Sequence, residues 1–373
     1  MSDGLSLFAP QPGGPGVPPG SRAGVLVDGL LDLLRSAGPA IEVTERWLAP
    51  PPHAAAGLAD ARRAADDLRR LLSDRSRHAL LLYPHIPGVV HGREATAAPL
   101  ARRAYQTLGF RARLTRRRIL VFVAELPLER AAGRARADGR SAPPEPKGRR
   151  EIEAALFRIA HRLIVPAGFA RPIEERHGVD PSRIHTFRRF PYPAESPLSE
   201  DPPLEFEPGS VNFFYSGSVD AHVASNFRAV LKSIRNAPAT RLHVCGPGRD
   251  AVREWLDELD APNVRHYGQL GVAEHDWLAR RCDVGLILEP GESRYDQLRP
   301  TLKYSAYLAN GLAVLATDLE RVAENVREDG VGQAMPIREL ELELLRWATR
   351  PKLWRDAKAR AAELAPMIRR GAD

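Results

Sequence analysis

Residues 299–332 read RPTLKYSAYLANGLAVLATDLERVAENVREDGVG, and this stretch decides the fold class. Apolar residues recur at helical spacing over 301–309. Asn310-Gly311 ends that run, because glycine takes the left-handed conformation that closes a helix without a Cβ penalty. Residues 312–316 follow as an unbroken apolar run, the pattern of a strand covered on both faces of a parallel sheet. Thr317 and Asp318 are placed to cap a helix over 320–327 that stops near Asp329-Gly330.

The preceding residues carry the same rhythm. Strands are expected at 211–215, 241–245, 264–267 and 284–288, alternating with helices that start at Asn226 and cover 250–259 and 272–280. In the first half, strands are expected at 5–9, 78–83, 118–123 and 162–165. Helices are expected from Ser21, and at 54–72, 99–108, 150–159 and 168–177. Residues 134–149, rich in Arg, Gly and Pro, read as a long mobile loop. With 373 residues the chain exceeds the ~100–200 of one domain, so two domains are expected. Pro and acidic residues crowd 191–208, which reads as the linker between domains at 1–190 and 209–373.

Composition narrows the function. The net charge of +7 suits an anionic ligand, but aromatics are only 6% and do not interleave with the basic residues, which argues against a nucleic-acid partner. Cys245 and Cys282 are too few for a disulfide scaffold or a metal cage and read as buried thiols in a reducing compartment. No leader pattern and no apolar run of spanning length is present, so a cytoplasmic protein is expected. The dense basic cluster at 111–118 leaves peripheral membrane contact open beside the plainer reading of a solvated loop. No Asp-x-Asp pair is placed to hold a divalent cation, and the loop after the first strand lacks the G-x-G-x-x-G dinucleotide spacing.

The 299–332 segment resembles the donor half of GT-B glycosyltransferases of the family 4 (group 1) type. Lys303, Tyr307, Leu308, Ala309, Gly311, Val314, Ala316, Thr317, Asp318, Glu324, Val326, Gly330 and Gly332 fall on positions of that family's pattern. The resemblance implies two Rossmann-like doubly wound domains facing across a ligand-binding cleft, with the C-terminal helices packing back on the first domain. It also implies transfer of a sugar from a nucleotide-diphosphate sugar, a co-substrate, with no cofactor and no metal. The acceptor, a small molecule, glycan or lipid-linked group, is not defined. One departure matters: the family's Glu-x7-Glu pair falls on Leu298 and Ala306, which leaves retaining and inverting chemistry both open.

Under this resemblance Lys303, three residues after Pro300, corresponds to a lysine that grips the diphosphate, with Arg299 as a second cation. The family's two phosphate-loop cations are missing from Gly217-Ser218-Val219-Asp220-Ala221-His222. Backbone N–H groups of Gly217 and Ser218, the Ser218 hydroxyl and His222 are the available substitutes. Glu292, Asp296, Tyr304 and Ser305 are candidates to hold the ribose, since Ala306 stands where the family has the glutamate that does so. Gln269 and Leu270 fall where the base is read, and Gly13-Gly14 where backbone approaches the donor from the other domain. From the residues themselves, His85 and Glu125 end neighbouring strands at the ligand-binding edge of a parallel sheet, where either can take an acceptor's proton. The second reading is a catalytically silent homologue that binds a ligand or partner, motivated by the missing glutamates and cations.

Overall fold

The computed structural model describes residues 5–10, 22–36, 43–48, 66–67, 69–74, 76–83, 98–126, 149–194, 201–202, 204–219, 222–247 and 249–370. The chain divides into two units, Met1–Arg188 and Arg189–Asp373. In the first, β1 (Leu5–Pro10), α1 (Arg22–Ser36), β2 (Val43–Leu48), β3 (His78–Tyr83), α2 (Ala98–Thr115), β4 (Arg118–Val123), α3 (Arg149–Ile159), β5 (Arg162–Pro166), α4 (Ala170–His177) and β6 (Ile184–Phe187) succeed one another. The strands pair in parallel in the order β2-β1-β3-β4-β5-β6. Leu7, Leu80, Leu81, Val121, Val123 and Leu163 are wholly buried, as the apolar runs HALLLY and RILVFV require of strands covered on both faces.

The connection changes direction between β1 and β3, so the carboxyl ends of these strands flank this sheet's switch point. The loops that leave them, with Gly13, Gly14 and His85, lie outside the described residues, as do residues 134–148 of the expected mobile loop. Glu125 follows β4 at the same edge and is half-buried. The expected helix 99–108 is longer than its pattern suggested: it takes in Arg111 and Arg113 of the basic cluster, while Arg116 and Arg117 form the short turn to β4 and Arg118 starts that strand.

The second unit contains β7 (Asn212–Ser216), α5 (Ala224–Arg235), β8 (Arg241–Cys245), α6 (Arg249–Leu259), β9 (Val264–His266), α7 (Val272–Arg280), β10 (Val284–Ile287), α8 (Arg294–Leu298), α9 (Leu302–Ala309), β11 (Ala313–Thr317), α10 (Glu320–Asp329) and β12 (Gly332–Met335). Two helices, α11 (Ile337–Thr349) and α12 (Lys352–Arg369), follow and pack on this sheet and on α5 and α9. The strand order is β12-β11-β10-β7-β8-β9, all parallel, which puts the switch point between β7 and β10. The described part of the expected linker is strapped to this unit. Tyr192 donates to Asp276 (2.7 Å), the Trp277 indole donates to Asp201 (2.7 Å), and Arg265 pairs with Glu205.

Gly311 and Gly330 close α9 and α10 in the left-handed region, at φ 68° and 67°, as the sequence required. Thr317 does not cap α10: the residue before that helix is Leu319, and Thr317 Oγ1 instead donates to the Glu289 carbonyl (2.6 Å), tying the end of β11 to the chain leaving β10. Tyr307 ties β10 to β7, donating to the Leu286 carbonyl (2.9 Å) and accepting from the Ser216 amide (3.1 Å). Its ring fills the space over Gly285, where a Cβ would lie 2.4 Å from Tyr307 Cδ2. With both bonds holding the ring, Gly285→Ala should overpack the core and cost about 1–3 kcal/mol. Chemical denaturation measures it, and an unchanged midpoint would contradict this packing account.

Candidate functional site

The carboxyl ends of β7 and β10 define the crevice in which an open parallel sheet binds ligands. β7 runs into Gly217-Ser218, and β10 into Leu288-Glu289-Pro290-Gly291. Lys303, in the first turn of α9, reaches this point: its Nζ lies 2.6 Å from Glu289 Oε1 and 4.9 Å from the Tyr215 ring centroid. A Cβ on Gly217 would lie 2.6 Å from Lys303 Cε and 3.0 Å from Nζ, so the lysine occupies the space that Gly217 leaves.

Three adjacent strands end in glycine at this edge. Gly217, Gly246 and Gly268 have φ of 138°, 136° and 77°, all in the region that disfavours side chains. The Gly217 amide donates to the Cys245 carbonyl (2.9 Å) and the Gly246 amide to the Gly268 carbonyl (2.7 Å). A Cβ at Gly246 would lie 2.2 Å from the Gly217 carbonyl oxygen, so only glycine allows the strand ends this approach. The result is an edge stripped of side chains from β7 to β9, beside a lysine.

Arg299, between α8 and α9, joins the cluster. It lies 4.0 Å from Glu289 Oε1 and 3.5 Å from Asp296 Oδ1. His222 approaches from the β7–α5 loop, 3.8 Å from Glu292 and 4.0 Å from Asp296, so it faces carboxylates rather than adding to an unpaired positive patch. Ser218 is exposed, and its carbonyl accepts from the Tyr215 hydroxyl (3.1 Å). Gln269 and Leu270 follow β9 beyond Gly268, at the same carboxyl edge.

Two candidates lie elsewhere. The Tyr304 hydroxyl donates to Asp329 (2.5 Å), which also pairs with Arg189, so this tyrosine anchors α9 to the end of α10. Ser305 is fully buried on α9, and its Oγ has no hydrogen-bond partner among the described residues. Ala306, at the position of the family's second glutamate, is buried in the same helix.

The acidic residue that meets both Lys303 and Arg299 is Glu289, which the sequence reading passed over. Burial pushes its carboxyl up, but Lys303 and then Arg299 outweigh burial and hold it down at about 2. Its Oε1 takes the lysine, and its Oε2 is buried without a hydrogen-bond partner among the described residues. The available signal was its place, a carboxylate directly after a buried strand at the ligand-binding edge. Among the described residues no three His, Cys, Asp or Glu side chains gather as a cation cage.

No protein-family model matches the sequence, and no curated protein matches it either. Solved structures do match over nearly the whole chain. WaaG, a glycosyltransferase involved in lipopolysaccharide biosynthesis, superposes with a TM-score of 0.59 at 14% identity, covering 97% of this chain and 95% of its own. Sucrose-phosphate synthase from Thermosynechococcus elongatus gives 0.64 at 13%, with coverages of 98% and 94%. The UDP co-structure of S. aureus MnaA gives 0.53 at 10%, with coverages of 95% and 90%. The two doubly wound units are thus a GT-B fold, the architecture of glycosyltransferases such as the first two.

Proposed function

We propose that the protein is a glycosyltransferase that takes its sugar from a nucleotide-diphosphate sugar held at the switch point of the second sheet. One observation carries the reading: Lys303 and Arg299 converge beside the glycine-stripped strand ends, where a diphosphate can approach the backbone and meet two cations. The GT-B fold supports it, and so does the presence of UDP in the MnaA structure, where it is that protein's ligand.

In this account the leaving diphosphate accumulates negative charge as the glycosidic bond breaks. Lys303, Arg299 and the Ser218 amide stabilise that charge in place, which is why no divalent cation is required, whereas the Gly217 amide is already bonded to the Cys245 carbonyl. The glycine edge leads from this point to Gln269 and Leu270, which receive the base. Glu125 or His85 of the first unit removes the acceptor's proton.

A thermal-shift screen against nucleoside diphosphates, run with and without chelator, tests the reading. At 100 times its dissociation constant a ligand adds roughly 2.7 kcal/mol of apparent stability. A shift for at least one diphosphate, undiminished by chelator, is expected. No shift for any of them, or one that appears only with Mg²⁺, would overturn it.

A further inference from the structure

The outer face of α2 is unlike an ordinary solvated helix. Residues 98–118 contain seven arginines and no acidic residue, whereas exposed helices ordinarily interleave both signs. Phe110 and Leu114, four residues apart and so on one face, are 64% and 70% exposed. They are among the most exposed large apolar side chains of the described residues. Arg103 continues the stripe two turns earlier, Arg113 borders it, and Arg116 and Arg118 extend it to the amino end of β4.

The platform is rigid. Tyr105, Leu108 and Ala112 are buried on the inner face, and α2 packs closely on α3 because a Cβ at Gly109 would lie 2.5 Å from Ile159 Cγ2. The nearby carboxylates are already engaged: Glu151 holds Arg102 at 2.8 Å, and Asp74 holds the buried Arg117. Arg103, Arg113, Arg116 and Arg118 have no carboxylate partner among the described residues and stay exposed around Phe110 and Leu114.

We infer that this face docks on an anionic lipid surface, with Phe110 and Leu114 entering the headgroup layer and the arginines meeting the phosphates. Charge complementarity selects the occupant. A second copy of this face would bring like charges together, and a nucleic acid would leave an exposed leucine without a partner. No described helix is long and apolar enough to cross a membrane, so the attachment is peripheral. The inference is independent of the proposed donor site, since it rests on other residues of the other unit.

The test is flotation of the full chain with vesicles of phosphatidylcholine alone, or with about a third phosphatidylglycerol. Binding to the anionic vesicles only, released by high salt, is expected. Arg103→Gln/Arg113→Gln removes two charges at roughly one kcal/mol each, so its partitioning should fall roughly thirtyfold. Phe110→Ser/Leu114→Ser should lose roughly tenfold or more while salt release of the residue remains. All four positions are exposed, and unchanged thermal unfolding confirms that the variants fold. No binding to anionic vesicles, equal binding to neutral ones, or wild-type partitioning by both variants would overturn the inference. So would capture of RNA in place of vesicles, abolished by the arginine variant.

Discussion

Lys303→Ala should weaken nucleoside-diphosphate binding roughly ten- to 150-fold, because it removes a charge-assisted phosphate contact worth about 1.5–3 kcal/mol. The same change should also destabilise the protein. Lys303 is the partner of a buried carboxylate, and stripping one side of a buried pair leaves the other uncompensated, at a cost of about 3–5 kcal/mol. The two effects separate in the double variant Lys303→Ala/Glu289→Ala, which should recover much of the stability and none of the affinity. Titration calorimetry and denaturation measure both. Wild-type affinity in Lys303→Ala would remove the lysine from the phosphate site.

Glu289→Gln should make stability lose its acid dependence at this site. The Glu289 carboxyl is held at about 2, below its ordinary 4.5, so the folded state favours the ionised form. Because the folded value is the lower one, the stabilisation is complete above the ordinary value and is lost as pH falls from about 4.5 towards 2. Its size is on the order of 3 kcal/mol. The wild type should therefore exceed Glu289→Gln in stability at neutral pH by that order, and the difference should shrink through the same acid window. Denaturation at a series of pH values checks this. A difference that stays constant down to the acid end would mean that the pair is not what holds the carboxylate.

Much of the fold was legible because its strands are apolar on both faces. HALLLY, RILVFV and RLHVC are mostly apolar runs of strand length, as inner strands covered on both faces require, and their predicted limits match β3, β4 and β8. The two missed strands of the first sheet, VTERWL and IHTF, lie at its edges. One face of an edge strand can stay wet, so its pattern fades into that of a loop. Gly109 lies just past another expected limit. The helix expected over 99–108 runs on through it to Thr115, and the missing Cβ at Gly109 lets α2 approach Ile159.

The cluster was half legible. Lys303, Arg299 and Gly217 come together as their positions suggested, because each lies at a strand end or a helix start on one edge of the sheet. Glu289 did not stand out, since the residues it joins are ten and fourteen positions away in sequence and meet it only after β10, α8 and α9 fold back on the edge. Tyr304 and Ser305 adjoin Lys303 in sequence, but successive helical positions point in different directions, and theirs face Asp329 and the core.

The most direct measurement compares, by calorimetry, a nucleoside diphosphate with the matching nucleoside, on the wild type and on Lys303→Ala/Glu289→Ala. If Lys303 and the glycine edge hold the diphosphate, the wild type should prefer the diphosphate by roughly a hundredfold or more, and the double variant should lose most of that preference while binding the nucleoside unchanged. Equal affinities in the wild type, or a preference that survives loss of Lys303, would contradict the account.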